Sequence, residues 1–166
     1  MTKVVLALAA TYLALVFQTT VCPLIRLGGA SPDLLALVAL TIVLLSSSPY
    51  AFLWAGWVGL LHDLASTGRI GVAMFWFAVA GYLITRFRDH VYAETLPART
   101  LACVLGSFVA VAGLVATRRL LGDTGADWAT CVSHSIRVAV YTGLVAVPLF
   151  VFVGRRVKGK AGDPAT

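Results

Sequence analysis

Long apolar runs separated by short polar turns follow one another along the whole chain. The first, Met1 to Cys22, carries a single Lys and ends at Pro23. It is longer than the roughly 7–15 residues of a signal-peptide core, and no small-x-small cleavage site precedes the next block, so it reads as a retained helix. A polar break from Arg26 to Asp33 ends in Ser31, Pro32 and Asp33, an order that starts a helix. The second block, Leu34 to Ser48, is about 15 residues long, short for a bilayer core that needs roughly 20. It must tilt little, extend through Ser46–Ser48, or be packed inside a bundle. Pro49 stops it and Tyr50 to Leu64 follows at once, which makes these two segments an antiparallel hairpin.

After a Ser-Thr-Gly-Arg turn the fourth block spans Gly71 to Thr85 and closes on Arg86, Phe87, Arg88, Asp89 and His90. A connector from Val91 to Pro97 leads to the fifth, Ala98 to Thr117, and a mixed-charge loop from Arg118 to Asp127 leads to the sixth. That one starts near Trp128 to Ser133 and reaches Val153, with Pro148 inside it, a residue a membrane bundle tolerates when neighbours satisfy the freed backbone. The pattern predicts an all-α polytopic membrane protein, a six-transmembrane-helix bundle over residues 1–154, followed by a basic, disordered cytoplasmic tail over 155–166.

Composition agrees with lipid as the solvent. Hydrophobic residues make up 60% of the chain and charged residues 12%, with a mean hydropathy of +0.92; soluble domains are nearer half apolar. The net charge of +6 sits mostly at segment ends and forms no basic stripe with interleaved aromatics, so it concerns orientation and anionic lipid and not nucleic acid. With the N-terminus inside, the inner segments hold Lys3, Arg86, Arg88, Arg99, Arg155, Arg156, Lys158 and Lys160. The outer ones hold only Arg26, Arg69, Arg118 and Arg119. The positive-inside rule therefore favours both termini in the cytoplasm, with the basic tail as an inner-leaflet anchor. Cys22, Cys103 and Cys131 show no metal or disulfide spacing and read as small hydrophobes.

Ionisable residues inside apolar helices are expensive and mark functional positions by default. Asp63, at the end of the third block, is the foremost. Ala55 and Gly59 precede it at intervals of four, which gives a face that lets another backbone approach closely. Gly106, Ala110 and Gly113 give a second such face. On the predicted orientation Asp33 and Asp63 fall at the outer ends of their helices, and Arg137, with His134 and Tyr141 on its stripe, lies at comparable depth. Two arrangements fit this outer-face polar cluster: Arg137 pairs with Asp63 or Asp33 and closes a polar pocket, or it snorkels to headgroups while the aspartates cap helix ends in water. Catalysis finds little footing, because no nucleophile accompanies the two carboxylates. His62, His90 and His134 stand in separate segments without metal-ligand spacing, and no phosphate-binding loop occurs, so no cofactor is implied.

Certain residues also carry a resemblance: Ser31-Pro32-Asp33-Leu34-Leu35, the hairpin through Pro49, the Gly-x-x-x-Asp of Gly59 to Asp63, Gly71, and the aromatic-rich span ending in Tyr82 and Arg86. In this order and spacing the chain resembles the rod shape-determining protein MreD family, best from about Ser31 to Arg88. It departs from that pattern where Ser46 to Ser48 lacks basic residues and where the loop from Arg118 to Asp127 is long. The resemblance implies a part in a bacterial cell-elongation machinery, in the inner membrane, with MreC, the filament-forming MreB, and RodA with its penicillin-binding transpeptidase as partners. It also implies a fold similar to the substrate-binding subunits of energy-coupling-factor transporters, with Asp33, Asp63 and Arg137 at the mouth of an outward cavity.

Three readings follow. A non-catalytic scaffold accounts for the missing reactive groups. A vitamin-transporter substrate subunit would use the same pocket and need an ATPase partner, whereas a lipid-handling enzyme would need a reactive group that is not found.

Overall fold

The computed structural model describes residues 2–25, 31–46, 48–66, 69–87, 96–122 and 127–161. Its secondary structure among these residues is helical, joined by short turns. Six α-helices follow in order, α1 (Thr2–Thr20), α2 (Leu34–Leu45), α3 (Ala51–Ala65), α4 (Val72–Phe87), α5 (Leu96–Leu120) and α6 (Trp128–Ala161), with a 3-10 turn at Cys22–Ile25 after α1. No strand occurs among the described residues. Among the described residues two helices are long and apolar enough to cross a membrane, over Pro97–Leu120 and Trp128–Pro148; the other apolar helices are shorter.

The short second helix is short because it is interior. Leu35, Ala36, Leu37, Ala39, Leu40 and Val43 are each at most 2% exposed, and α2 touches all five other helices. This burial places α2 in the middle of the bundle, so of the three options open to this block, interior packing holds. Asp33 opens it as N-cap, its side chain accepting the Ala36 N–H at 2.9 Å.

Around α2 the chain packs as hairpins. α3 and α4 form the tightest pair: a Cβ on Gly59 would stand 2.6 Å from the Ala73 carbonyl oxygen and 2.8 Å from Met74 Cα. On the same interface a Cβ at Gly81 would come 2.9 Å from the Ala55 Cβ. α5 and α6 pair beside them, with Val104 lying over Gly143 so closely that a Cβ there would overlap it. Gly106, Ala110 and Gly113 turn toward the core: Gly106 meets Ile84 and Leu40, Gly113 is covered by the Trp76 ring, and Ala110 is 1% exposed.

Two boundaries differ from the sequence reading. α5 runs on to Leu120, so Arg118 and Arg119 are helical and not part of a loop. α6 continues through the basic stretch to Ala161, so residues 155–161 are helix and not a disordered tail. Helix propensity explains the second difference, since Arg and Lys are good helix formers and nothing in Arg155 to Lys160 except Gly159 breaks a helix already running. Of the connector read from Val91 to Pro97, residues 91–95 lie outside the described residues, as do 162–166, while Leu96 and Pro97 already belong to α5.

Candidate functional site

The loop ends at one end of the bundle converge on two buried carboxylates. Asp63 lies in the last turn of α3, where the helix dipole disfavours a negative charge. Its neighbour α4 has the opposite need. The residue before Val72 is Gly71, with no side chain to cap the orphan N–H groups that begin a helix. Asp63 supplies the cap from across the turn. Its Oδ2 accepts the N–H of Gly71 at 2.8 Å, of Ala73 at 3.0 Å and of Met74 at 3.1 Å, while Oδ1 lies 3.1 Å from the Ala73 N. Gly71 has φ of +100°, a conformation open to glycine and strained for other residues, and this turns its N–H onto the carboxylate. The side chain is 1% exposed, and a carboxylate accepting several backbone N–H bonds offsets much of the penalty of its burial.

Asp33 is 7% exposed and sits where α1, α2, α3 and α6 meet. Beyond capping its own helix, its Oδ2 lies 3.9 Å from Nε2 of His62 in α3. The backbone around it is tied to two further helices. The Asp33 N–H donates to Thr142 Oγ1 in α6 at 3.0 Å, and the Leu34 N–H donates to Gln18 Oε1 in α1 at 2.7 Å. Cys22, just past α1, has its Sγ 3.8 Å from the same Gln18 oxygen. The His62 ring packs on Phe77, and its Nδ1 is buried without a hydrogen-bond partner among the described residues.

Arg137 takes no part in either arrangement. It is exposed, and its guanidinium donates to Ser133 Oγ at 3.4 Å, one turn back along α6. Among the described residues no ion pair links it to Asp33 or Asp63, so of the two arrangements open in the sequence the paired one is not seen here. The reason is depth. Thr142 meets the start of α2 although it lies about 20 Å along α6 from Trp128 at 1.5 Å per residue. The interior helix therefore begins well below the end of α6, and Arg137 passes above it on another face. His134 and Tyr141 are half-buried on α6.

Reading the sequence for charge alone misses Gln18, His62 and Thr142. The available signal was that Gln18 and Thr142 are polar residues within apolar helices, the kind that hydrogen-bond across helices in membranes. The rim nearby is polar as well. Trp76 Nε1 donates to Thr117 Oγ1 at 2.9 Å, the Arg118 guanidinium donates to Ser66 Oγ at 3.3 Å, and Arg119 stacks over the Trp128 ring at 4.7 Å. No group of His, Cys, Asp and Glu able to hold a metal ion occurs among the described residues.

Neither a curated protein nor a solved structure matches the chain. A family model does: that of the rod shape-determining protein MreD matches residues 1–155, nearly the whole length, with both aspartates and all the residues that hold them inside the matched region. The chain belongs to the MreD family.

Proposed function

We propose that this protein is a non-catalytic inner-membrane subunit of the machinery that determines rod shape, acting as a scaffold that binds MreC and other membrane partners. The observation that carries this reading is how the buried carboxylates are used. Asp63 gives both oxygens to the α4 backbone and Asp33 gives one to its own helix, an arrangement that shapes a bundle and leaves little for a substrate. Family membership supplies the shape-determining role.

In this reading all six helices cross the bilayer, with both termini in the cytoplasm. α1 is 19 residues long and α4 is 16, near the roughly 17–25 that a spanning helix needs. The shorter α2 is shielded by its neighbours rather than matched to lipid. The charge asymmetry of the polar segments supports the orientation. Val5, Leu6, Tyr12, Leu13 and Phe17 leave α1 between 50% and 72% exposed, a face suited to lipid or to a partner's helix.

Purification from the host in mild detergent tests the scaffold. MreC and cell-wall synthases in the eluate support it, whereas a bound vitamin or an ATPase subunit would overturn it. Reporter fusions at the two ends test the topology, which requires both on the cytoplasmic side.

A further inference from the structure

The two hairpins of the bundle differ in length. α5 and α6 carry apolar stretches of 24 and 21 residues, Pro97–Leu120 and Trp128–Pro148. At 1.5 Å per residue these are about 36 and 32 Å long, enough to fill a hydrocarbon core of about 30 Å. α3 and α4 have only 15 and 16 residues. They reach about 22 and 24 Å and fall short of the same core by about 6–8 Å. Unlike α2, this short pair faces outward: Leu53, Trp57 and Leu64 form a stripe along α3, and Phe75 and Tyr82 one along α4, each between 48% and 62% exposed. The shortfall is also confined to one side, since among the described residues α6 packs on α5 and α2 and not on α3 or α4.

A helix shorter than the hydrocarbon is accommodated by flanking side chains that snorkel, by association with another protein, or by a thinner bilayer. Tilting only makes it span less. Two ends of the hairpin have long cations to snorkel with: Arg69 is exposed in the α3–α4 turn, and Arg86 is exposed at the end of α4. The start of α3 has none. Between Leu45 and Ala51 the chain reads Ser-Ser-Ser-Pro-Tyr, without Lys or Arg, so at that turn the bilayer itself must take up the difference.

We propose that the membrane is thinned beside α3, chiefly in the leaflet at the α2–α3 turn, so that this side of the protein selects phospholipids with shorter acyl chains than α5 and α6 do. This selectivity rests on the six-span topology proposed above. The test uses the purified full chain in phosphatidylcholine vesicles that contain, in equal amounts, two photoactivatable phosphatidylcholines, one with myristoyl and one with stearoyl chains and the reactive group at the same carbon. Peptide mapping then gives the ratio of short-chain to long-chain labelling for each helix. The ratio should be at least threefold higher on the α3 peptide than on those of α5 and α6. Ser48→Arg, which gives the exposed turn a cation that can snorkel, should bring the α3 ratio at least halfway to that of α5; an unchanged ratio would overturn the assignment of the shortfall to this turn. Equal ratios on α3, α5 and α6 of the wild type overturn the thinning and leave the six spans standing. Absence of label from α3 with either lipid, while α5 and α6 are labelled, overturns the thinning and the spanning role of α3 together.

Discussion

Asp63 reaches forward across the α3–α4 turn to cap a helix it does not belong to, whereas Asp33 caps the helix it starts. The first is met by three backbone N–H groups and sealed at 1% exposure. The second is met by one N–H on Oδ1, with its other oxygen 3.9 Å from an imidazole nitrogen. One carboxylate therefore welds two helices into a hairpin, while the other sits in a looser junction whose connections run through its neighbours' backbone and through Gln18 and Thr142. Helix dipoles account for the direction of the first. A negative charge is poorly placed at the end of α3 and well placed at the start of α4, so the favourable arrangement is the one that folds the turn shut.

The comparison breaks most sharply at Asp63. Asp63→Ala leaves the buried Ala73 N–H and two part-buried N–H groups without their acceptor, at about 1–3 kcal/mol for a fully buried group and less for the others, so stability in detergent should fall by about 3 kcal/mol. Asp63→Asn, which keeps one acceptor oxygen, should lose about half as much. Thermal unfolding of the two variants checks this, and equal losses would mean that the charge and not the acceptors matters. Gly59→Leu comes next. Its side chain must displace the α4 backbone at Ala73, and overpacking of this kind costs about 1–3 kcal/mol. It should also reduce MreC recovery and widen cells if the hairpin is what partners bind; normal recovery and normal width would confine the hairpin to a folding role. At the looser junction Asp33→Ala removes one cap bond and should cost about 1–2 kcal/mol, visibly less than Asp63→Ala in the same melt.

Much of this was legible in the chain itself. Asp63 stood out because a carboxylate among apolar residues needs a reason, and Gly59 because it lies one turn before. The number of helices and the short turn at Pro49 followed from the spacing of polar breaks. Depth was not legible. Apolar periodicity shows where a helix starts in sequence and says nothing of how far that start lies below its neighbours, so pairing of Arg137 with an aspartate and snorkelling to headgroups both stay open if helices at one end are taken to begin level. The interior position of α2 breaks that assumption, and no single residue in Leu34 to Leu45 announces it, since a helix apolar all round can face lipid or core. The partner of Asp33 escapes for a different reason: His62 is weighed only as a metal ligand and lacks ligand spacing, although an imidazole next to one carboxylate in sequence is free to face another.

Arg137 gives the smallest effect and the sharpest check on depth. Arg137 is exposed and donates to a serine one turn away, and among the described residues it makes no ion pair with either aspartate. Arg137→Gln should therefore lower the melting temperature of the bundle less than Asp33→Ala does. The charge swap sharpens the point. Asp33→Arg should be strongly destabilising, because it buries a cation at the start of α2, where the dipole also opposes it. Adding Arg137→Asp should recover none of that loss, since the two side chains lie at different depths. Recovery in the double variant would put Arg137 level with the start of α2, and the Thr142 contact that sets α2 below the end of α6 would then have to be wrong.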